Sequence, residues 1–354
     1  MKSTTIGITG PSSFIGRNLR RRLAELGCAP TLFHGDICDP AEVVSFVRQC
    51  ELIFHFAGRN RGEPLDVFRV SAVGGANLAA AAGAIGNRHI VFPSTRYIDR
   101  FPNSPYSQGK LAVEVMLRQL AEVSGCQASV FRLSNTYGTG ALPHYVSVIA
   151  TFCWYEANGR GHEMPIQGDG TQVTEFAPVD SVVDRLLAAR EHRNAFTFNQ
   201  VDGTPLSVRQ IADIIRDPVI RKDFPTIQAM VDFFAQPSPF AELTADACPQ
   251  SQSGDAGILE VLAGYGVRAG QQREVKVEFN QVSFSEFAKL EGAQWFCWSC
   301  GTIAVDVYLS NGEYSQTRLL DEQHVRCIRL TPEYRYDFRN VGVAAARGVW
   351  VVER

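Results

Sequence analysis

What this 354-residue chain lacks narrows its possibilities first. It has no excess of either charge. The 34 Lys and Arg against 37 Asp and Glu leave a net charge of −3, no footprint for nucleic acid or an anionic membrane. No apolar run approaches the length of a spanning helix, and the N-terminus enters a strand with no signal peptide, so a cytoplasmic protein is expected. The nine cysteines are odd in number and scattered. Cys50, Cys126 and Cys153 fall in or beside apolar segments and read as buried reduced thiols. Histidine is scarce at the far end: beyond residue 273 His324 stands alone, and one imidazole cannot make a closed metal site. Internal repeats and low-complexity tracts are absent too. The length admits two domains.

What is present begins at the N-terminus. Thr4-Thr5-Ile6-Gly7-Ile8-Thr9 reads as a short buried strand. Gly10-Pro11-Ser12-Ser13-Phe14-Ile15-Gly16 follows as a tight turn of mostly small residues, then an amphipathic helix from Arg17 to Leu26 closed by Gly27. A strand, a tight turn and a helix N-terminus make an anion cradle, with amides and the helix dipole facing a pyrophosphate. Gly7, Gly10, Ser13, Phe14, Ile15 and Gly16 are therefore candidate cofactor contacts. The dinucleotide fingerprint carries three glycines, and Ser13 occupies its middle slot. Serine is small enough for close phosphate approach, and its hydroxyl can donate.

Two more strands point at the same edge. Glu51-Leu52-Ile53-Phe54-His55-Phe56-Ala57-Gly58 ends in small residues, leaving room for a flat ligand, so Phe56, Ala57 and Gly58 join the cofactor set. His89-Ile90-Val91-Phe92-Pro93-Ser94 delivers Ser94, with Thr95 next to it. Twelve residues beyond Ser94 comes Tyr106, and Lys110 follows at i+4 on the same helix face. An ammonium beside a phenol favours the phenolate, which suits proton exchange with a carbonyl or alcohol oxygen next to a nicotinamide. Ser94, Thr95, Tyr106 and Lys110 are the candidate catalytic residues.

These stretches resemble the extended short-chain dehydrogenase/reductases, the epimerase/dehydratase group that acts on nucleotide sugars. Thr9-Gly10-x-x-Ser13-Phe14-Ile15-Gly16, Phe54-His55-Phe56-Ala57-Gly58, Ser94-Thr95, Tyr106-x-x-x-Lys110 and Arg132 to Gly138 carry the likeness. So do Gly168 to Gln172 and Glu175 to Asp180, and together they cover residues 4–216. Ala57 to Arg61 and Tyr145 to Cys153 look most like two-domain capsule-sugar reductases with a C-terminal cupin. The resemblance implies a doubly wound α/β Rossmann domain with a small all-β cupin-like domain. It implies Tyr106 as general acid/base, Lys110 as its support and a ribose contact, and Ser94 or Thr95 bonding the reacting oxygen. Asn135 and His144 would contact the sugar nucleotide. The chain departs from the pattern at Ser13 and at Thr174, where an arginine often meets the substrate diphosphate; Arg59 or Arg61 is the alternative source of charge.

The resemblance implies a nucleotide-sugar 4-keto reductase acting as a homodimer. A 4-epimerase and an inactive NAD(P)-binding protein are the alternatives. A dehydratase is disfavoured, because Arg96 rather than an acidic residue follows Thr95. Asp36, after the strand Pro30 to His34, would bind a ribose 2′-hydroxyl and favour NAD. His34 beside it would tolerate a 2′-phosphate, and the resemblance favours NADP. The domains are expected at 1–248, a linker at 249–272 and the cupin-like unit at 273–354. Ser207 to Arg216 reads as a capped helix, and residues 217–248 as a Pro-punctuated helical connection. Strands are expected at Val275–Phe279, Thr302–Leu309, Tyr314–Leu320, Val325–Leu330 and Gly348–Val352, with Asn311-Gly312 as a hairpin turn. The metal-binding stretch of the cupin relatives corresponds to Ser283–Glu291, without histidine, and Tyr334 and Tyr336 stand near the expected place of a later ligand. No metal is expected. Cys297 and Cys300 read as core packing, and the β unit as structural support or dimer contacts.

Overall fold

Strand β1 (Ile6–Thr9) is buried throughout and pairs in parallel with β2 (Thr31–Phe33) on one side and β3 (Leu52–His55) on the other. In this computed structural model, residues 4–191, 194–237, 242–244, 269–277, 282–283, 294–321, 325–331, 333–342 and 345–353 are described. They divide into two units, Met1–Ala141 with Pro165–Ile227 and Leu142–Met164 with Gln228–Arg354.

In the first unit the parallel sheet continues through β4 (His89–Thr95), β5 (Gln127–Leu133) and β8 (Phe196–Val201), in the order β2-β1-β3-β4-β5-β8. Alternate side chains face opposite layers, as strand geometry demands. Ile53, Ile90 and Phe92 pack beneath α2 (Pro40–Val47), α3 (Pro64–Ile85) and α5 (Pro105–Val123). Leu52, Phe54 and Val91 face α1 (Phe14–Glu25) and α7 (Val179–Ala188). The short α4 (Tyr97–Arg100) follows β4. A second sheet joins β6 (Asn135–Tyr137) in parallel to β7 (Val173–Pro178), which pairs antiparallel with β9 (Thr204–Ser207). The helix read from the sequence after Ser207 is α8 (Val208–Arg216), opened by a capping box between Ser207 and Gln210.

Helix α3 corrects one expectation. By length and composition alone, its 22 residues are long and apolar enough to cross a membrane. Its Gly and Ala content serves close packing instead: a Cβ at Gly75 would collide with Val113 of α5, and one at Gly74 with Ile37.

The second unit holds α6 (Val148–Ala157) and a nine-stranded sheet. The chain passes into it within α10 (Pro225–Phe234), after the single turn α9 (Pro218–Arg221). Residues 217–248 are not wholly helical, because β10 (Glu242–Thr244) pairs antiparallel with a later strand. The others are β11 (Ala269–Val277), β12 (Val282–Ser283), β13 (Gln294–Cys300), β14 (Ile303–Leu309), β15 (Tyr314–Leu320), β16 (Val325–Leu330), β17 (Tyr334–Asn340) and β18 (Ala346–Glu353). Their order is β11-β18-β13-β16-β15-β14-β17-β12, with β10 on β16. Phe296, Ile303, Val305, Val307, Phe338 and Trp350 form the core. Asn311-Gly312 turns β14 into β15, with Gly312 at φ 82°. Most of the linker at 249–272 and all but Ser283 of Ser283–Glu291 lie outside the described residues, as does His324.

Candidate active site

The strand order reverses between β1 and β3, which opens a crevice at the carboxyl ends of those strands. Their ends are stitched together. The Phe56 amide donates to the Thr9 carbonyl at 3.0 Å, and the Ala57 amide to the Thr9 hydroxyl at 3.2 Å. The same hydroxyl lies 2.7 Å from His55 Nδ1. Gly10 has φ 63°, and a Cβ there would lie 2.7 Å from the Phe56 and Ala57 backbone. Only glycine suits both the conformation and the approach.

Ser13 caps α1, its Oγ accepting from the Gly16 amide at 3.1 Å. The cap leaves the hydroxyl proton to donate elsewhere. A Cβ at Gly16 would lie 2.5 Å from the Gly10 carbonyl, so the loop closes tightly on the helix start. No acidic residue occupies the first turn of α1, and nothing there opposes an anion. Phe14 and Ile15 are half-buried against the β1 core. Gly7 is placed differently: it sits inside β1, where a Cβ would meet Phe46 and Cys50. Its smallness serves the packing of α2, not the loop.

Ser104 caps α5 by accepting from the Ser107 amide, so Tyr106 and Lys110 occupy successive turns at the helix start. Lys110 is buried, with its ammonium donating to the Pro93 carbonyl at 2.9 Å. The ammonium lies 4.5 Å from the Phe92 ring centroid and 5.9 Å from that of Tyr106. Burial lowers the Lys110 pKa to about 8, partly offset by the Glu114 carboxylate. Tyr106 is half-buried, its ring edge-on to Tyr97 at 6.3 Å.

The two hydroxyls of β4 separate. Ser94 is buried and donates to the Glu114 carboxylate, which also accepts from Arg132 at 2.9 and 2.8 Å. Arg132 in turn meets Asp99 at 2.9 Å. Thr95 is half-buried at the strand end, its oxygen accepting from the Tyr97 amide at 3.1 Å. Ser94 is thus held by buried Glu114 at the inner end of an ionic network that runs out to exposed Asp99.

Glu114 and His55 are the residues that sequence reasoning missed. Glu114 follows Lys110 by four positions, the spacing that could have revealed it. His55 is fully buried and neutral, its pKa pushed to about 3 by burial and the neighbouring Lys110 charge.

Of the remaining candidates, Asn135 donates to the Thr174 hydroxyl at 3.0 Å and the Glu175 carbonyl at 3.3 Å, joining β6 to β7. Arg96 pairs with Glu175 and with Asp202, the latter at 3.0 Å. Gly58, Arg59 and Arg61 are exposed between β3 and α3, and Ala57 and Phe56 are progressively more buried. His34 is exposed after β2; Asp36 accepts from the Cys38 amide at 2.8 Å. His144 belongs to the second unit, where its ring packs edge-on to Trp154 at 4.8 Å and Tyr155 at 5.3 Å. Burial pushes its pKa to about 3.

In the second unit the Tyr336 hydroxyl accepts from the Thr331 amide at 2.9 Å, and Tyr334 is half-buried. Cys297 is buried and Cys300 half-exposed, both free thiols. Among the described residues no group of three His, Cys, Asp or Glu side chains is placed to hold a metal ion.

A doubly wound parallel sheet with a glycine-tight loop at its switch point defines an α/β protein with a Rossmann-like domain. The chain belongs to the NAD dependent epimerase/dehydratase family, which it matches over residues 6–200. It is 29% identical over 213 residues to the UDP-2-acetamido-2,6-beta-L-arabino-hexul-4-ose reductase of Pseudomonas aeruginosa, a match covering 58% of this chain and 55% of that one. It is 30% identical over 196 residues to the UDP-glucose 4-epimerase of Mycolicibacterium smegmatis, covering 49% and 62% respectively. The chain therefore spans less than two thirds of either relative. Bordetella bronchiseptica WbmF, solved with NAD+ and UDP, shares the fold at a TM-score of 0.54 and 19% identity, over 60% of this chain and 76% of that one.

Proposed function

We propose that this protein is an NAD(P)H-dependent reductase of a nucleotide-linked 4-keto-6-deoxy sugar, serving the synthesis of surface-polysaccharide precursors. The observation that carries the reading is the buried Lys110 ammonium beside the Tyr106 ring, next to the strand end that bears Thr95. The substrate class is supported by the similarity to the Pseudomonas reductase.

The residues present fit a dinucleotide. Gly10, Ser13 and Gly16 would hold the pyrophosphate, Phe56, Ala57 and Gly58 would flank the nucleotide, and Lys110 would reach the nicotinamide ribose. A nicotinamide held there would supply hydride for the 4-keto carbon. Tyr106 gives its phenolic proton to the developing alkoxide, and Lys110 stabilises the phenolate left behind. Thr95 donates a hydrogen bond to the same oxygen. Asn135 is read as a sugar-nucleotide contact, and Arg59 or Arg61 as charge for the diphosphate in place of an arginine at Thr174. Exposed His34 would tolerate a 2′-phosphate, while the Asp36 carboxylate, which keeps acceptor capacity beyond its bond from the Cys38 amide, would bind a ribose 2′-hydroxyl; the family resemblance alone tips the reading to NADPH. Thr95 is followed by Arg96, held by Glu175 and Asp202, which disfavours dehydration. The second unit is read as a cupin-like domain without metal, and the whole as a cytoplasmic homodimer; the eight described cysteines, all free, support a reducing compartment.

The test is incubation of the purified protein with a UDP-linked 4-keto-6-deoxy sugar and NADPH or NADH. Cofactor oxidation in proportion to product is expected. Turnover without net oxidation would assign a 4-epimerase, and no turnover a binding protein.

A further inference from the structure

The crossover from β6 to β7 leaves the first unit. After Ala141 the chain enters the second unit, runs through α6, and returns at Pro165. Within the second unit a buried polar chain grips this excursion. Asp306 of β14 and Arg339 of β17 form an ion pair whose side chains are 0% and 2% exposed. One guanidinium nitrogen donates to Asp306 at 2.8 Å and also to the Pro143 carbonyl at 2.9 Å; the other terminal nitrogen donates to the His144 carbonyl at 2.8 Å. Asp306 accepts further from the Thr317 hydroxyl at 2.6 Å, which meets the Tyr314 phenol at 2.6 Å. A second anchor lies on β15, the neighbour of β14: the Trp154 indole donates to the Thr317 carbonyl at 2.9 Å.

Burying two charges costs more than their attraction returns unless the other donors are satisfied, and an aliphatic pair of similar volume would stabilise the sheet as well. The ion pair does something an aliphatic pair cannot: its planar fork captures two consecutive main-chain carbonyls. His144 sits there at φ 53°, a left-handed conformation that a non-glycine residue holds only when its surroundings impose it.

We infer that Asp306 and Arg339 are positioning residues, a clamp in the β unit that sets the course of the Leu142–Met164 crossover and, through its ends, β6 and β7. Those strands carry Asn135 and Thr174. The link to substrate rests on the proposed reductase reading; the clamp itself does not.

Hydrogen exchange and steady-state kinetics of Arg339→Met and of the milder Trp154→Phe test it. The amides of His144, Ala150 and Thr151 should exchange about tenfold faster or more, while β1 and β3 keep wild-type rates. KM for the sugar nucleotide should rise about fivefold or more, with kcat within about twofold and cofactor affinity unchanged. Arg339→Lys should fail to restore either, because a point charge cannot span both carbonyls. Wild-type exchange across 142–157 in Arg339→Lys overturns the clamp even if Arg339→Met does not fold. Uniformly faster exchange throughout the second unit assigns the pair to stability alone and overturns it too. Faster local exchange with unchanged KM severs its link to the site. Exchange is read without turnover, so failure of the clamp and failure of the reductase reading are told apart.

Discussion

Lys110 donates to the carbonyl of Pro93 at 2.9 Å, fixing a buried ammonium one residue before Ser94 and beside the ring of Tyr106. Burial lowers this lysine to about 8, so its charge is lost within an accessible pH range. The catalytic support is present below that pH and lost above it. The pH profile of kcat/KM should therefore descend through about pH 8, and Lys110→Met should abolish that limb and leave a low, flat rate. Stability runs the other way. Between about pH 8 and the ordinary lysine value of 10.5, the unfolded chain binds the extra proton, so unfolding free energy rises with pH. Wild type should gain on the order of 2–3 kcal/mol relative to Lys110→Met across that window, measured by urea unfolding.

Tyr106→Phe removes the proton donor and keeps the half-buried ring. kcat should fall by about 10²–10⁴-fold while dinucleotide affinity and the unfolding midpoint hold, as checked by titration and thermal melts.

The hydroxyls of Ser94 and Thr95 should respond oppositely. Ser94→Ala strips a buried Glu114 oxygen of one donor and should cost about 1–3 kcal/mol of stability, with kcat within about threefold. Thr95→Val should lower kcat by about 10–100-fold at a smaller cost in stability. Paired kinetics and denaturation of the two variants decide it.

The loop after β1 separates shape from chemistry. Gly10→Ala forces a side chain into the Ala57 backbone at positive φ and should abolish dinucleotide binding. Ser13→Ala should cost about 1 kcal/mol through the lost cap, and Ser13→Gly only a few tenths while keeping affinity. Calorimetric titration of each variant reads both effects.

The first unit was legible because its signals are local: Gly10 in its turn, the capping box after Ser207, and i,i+4 spacing for Tyr106 and Lys110. Ser94 was not separable from Thr95, since its partner Glu114 lies on another element. The allegiance of residues 142–164 was hidden for the same reason on a larger scale. It depends on Thr317 and Arg339, more than 160 positions away along the chain. Strand β17 carries the period-two pattern of a strand, with Tyr334, Tyr336 and Phe338 alternating with Arg335, Asp337 and Arg339, yet both sets turn out buried, which a half-solvated strand does not lead one to expect. In β13, a run of aromatic and cysteine residues has no alternation to read, and three-residue β10 is too short for any pattern.

The woven crossover also governs how the molecule can be divided. A fragment ending at residue 248 would keep Trp154 and the Pro143–His144 carbonyls but lose the partners that satisfy them. Those groups would face solvent and invite clumping during expression. A clean dissection must instead sever the polypeptide near 141 and 165 and bridge the gap with a short spacer, so that α6 travels with the strands that hold it.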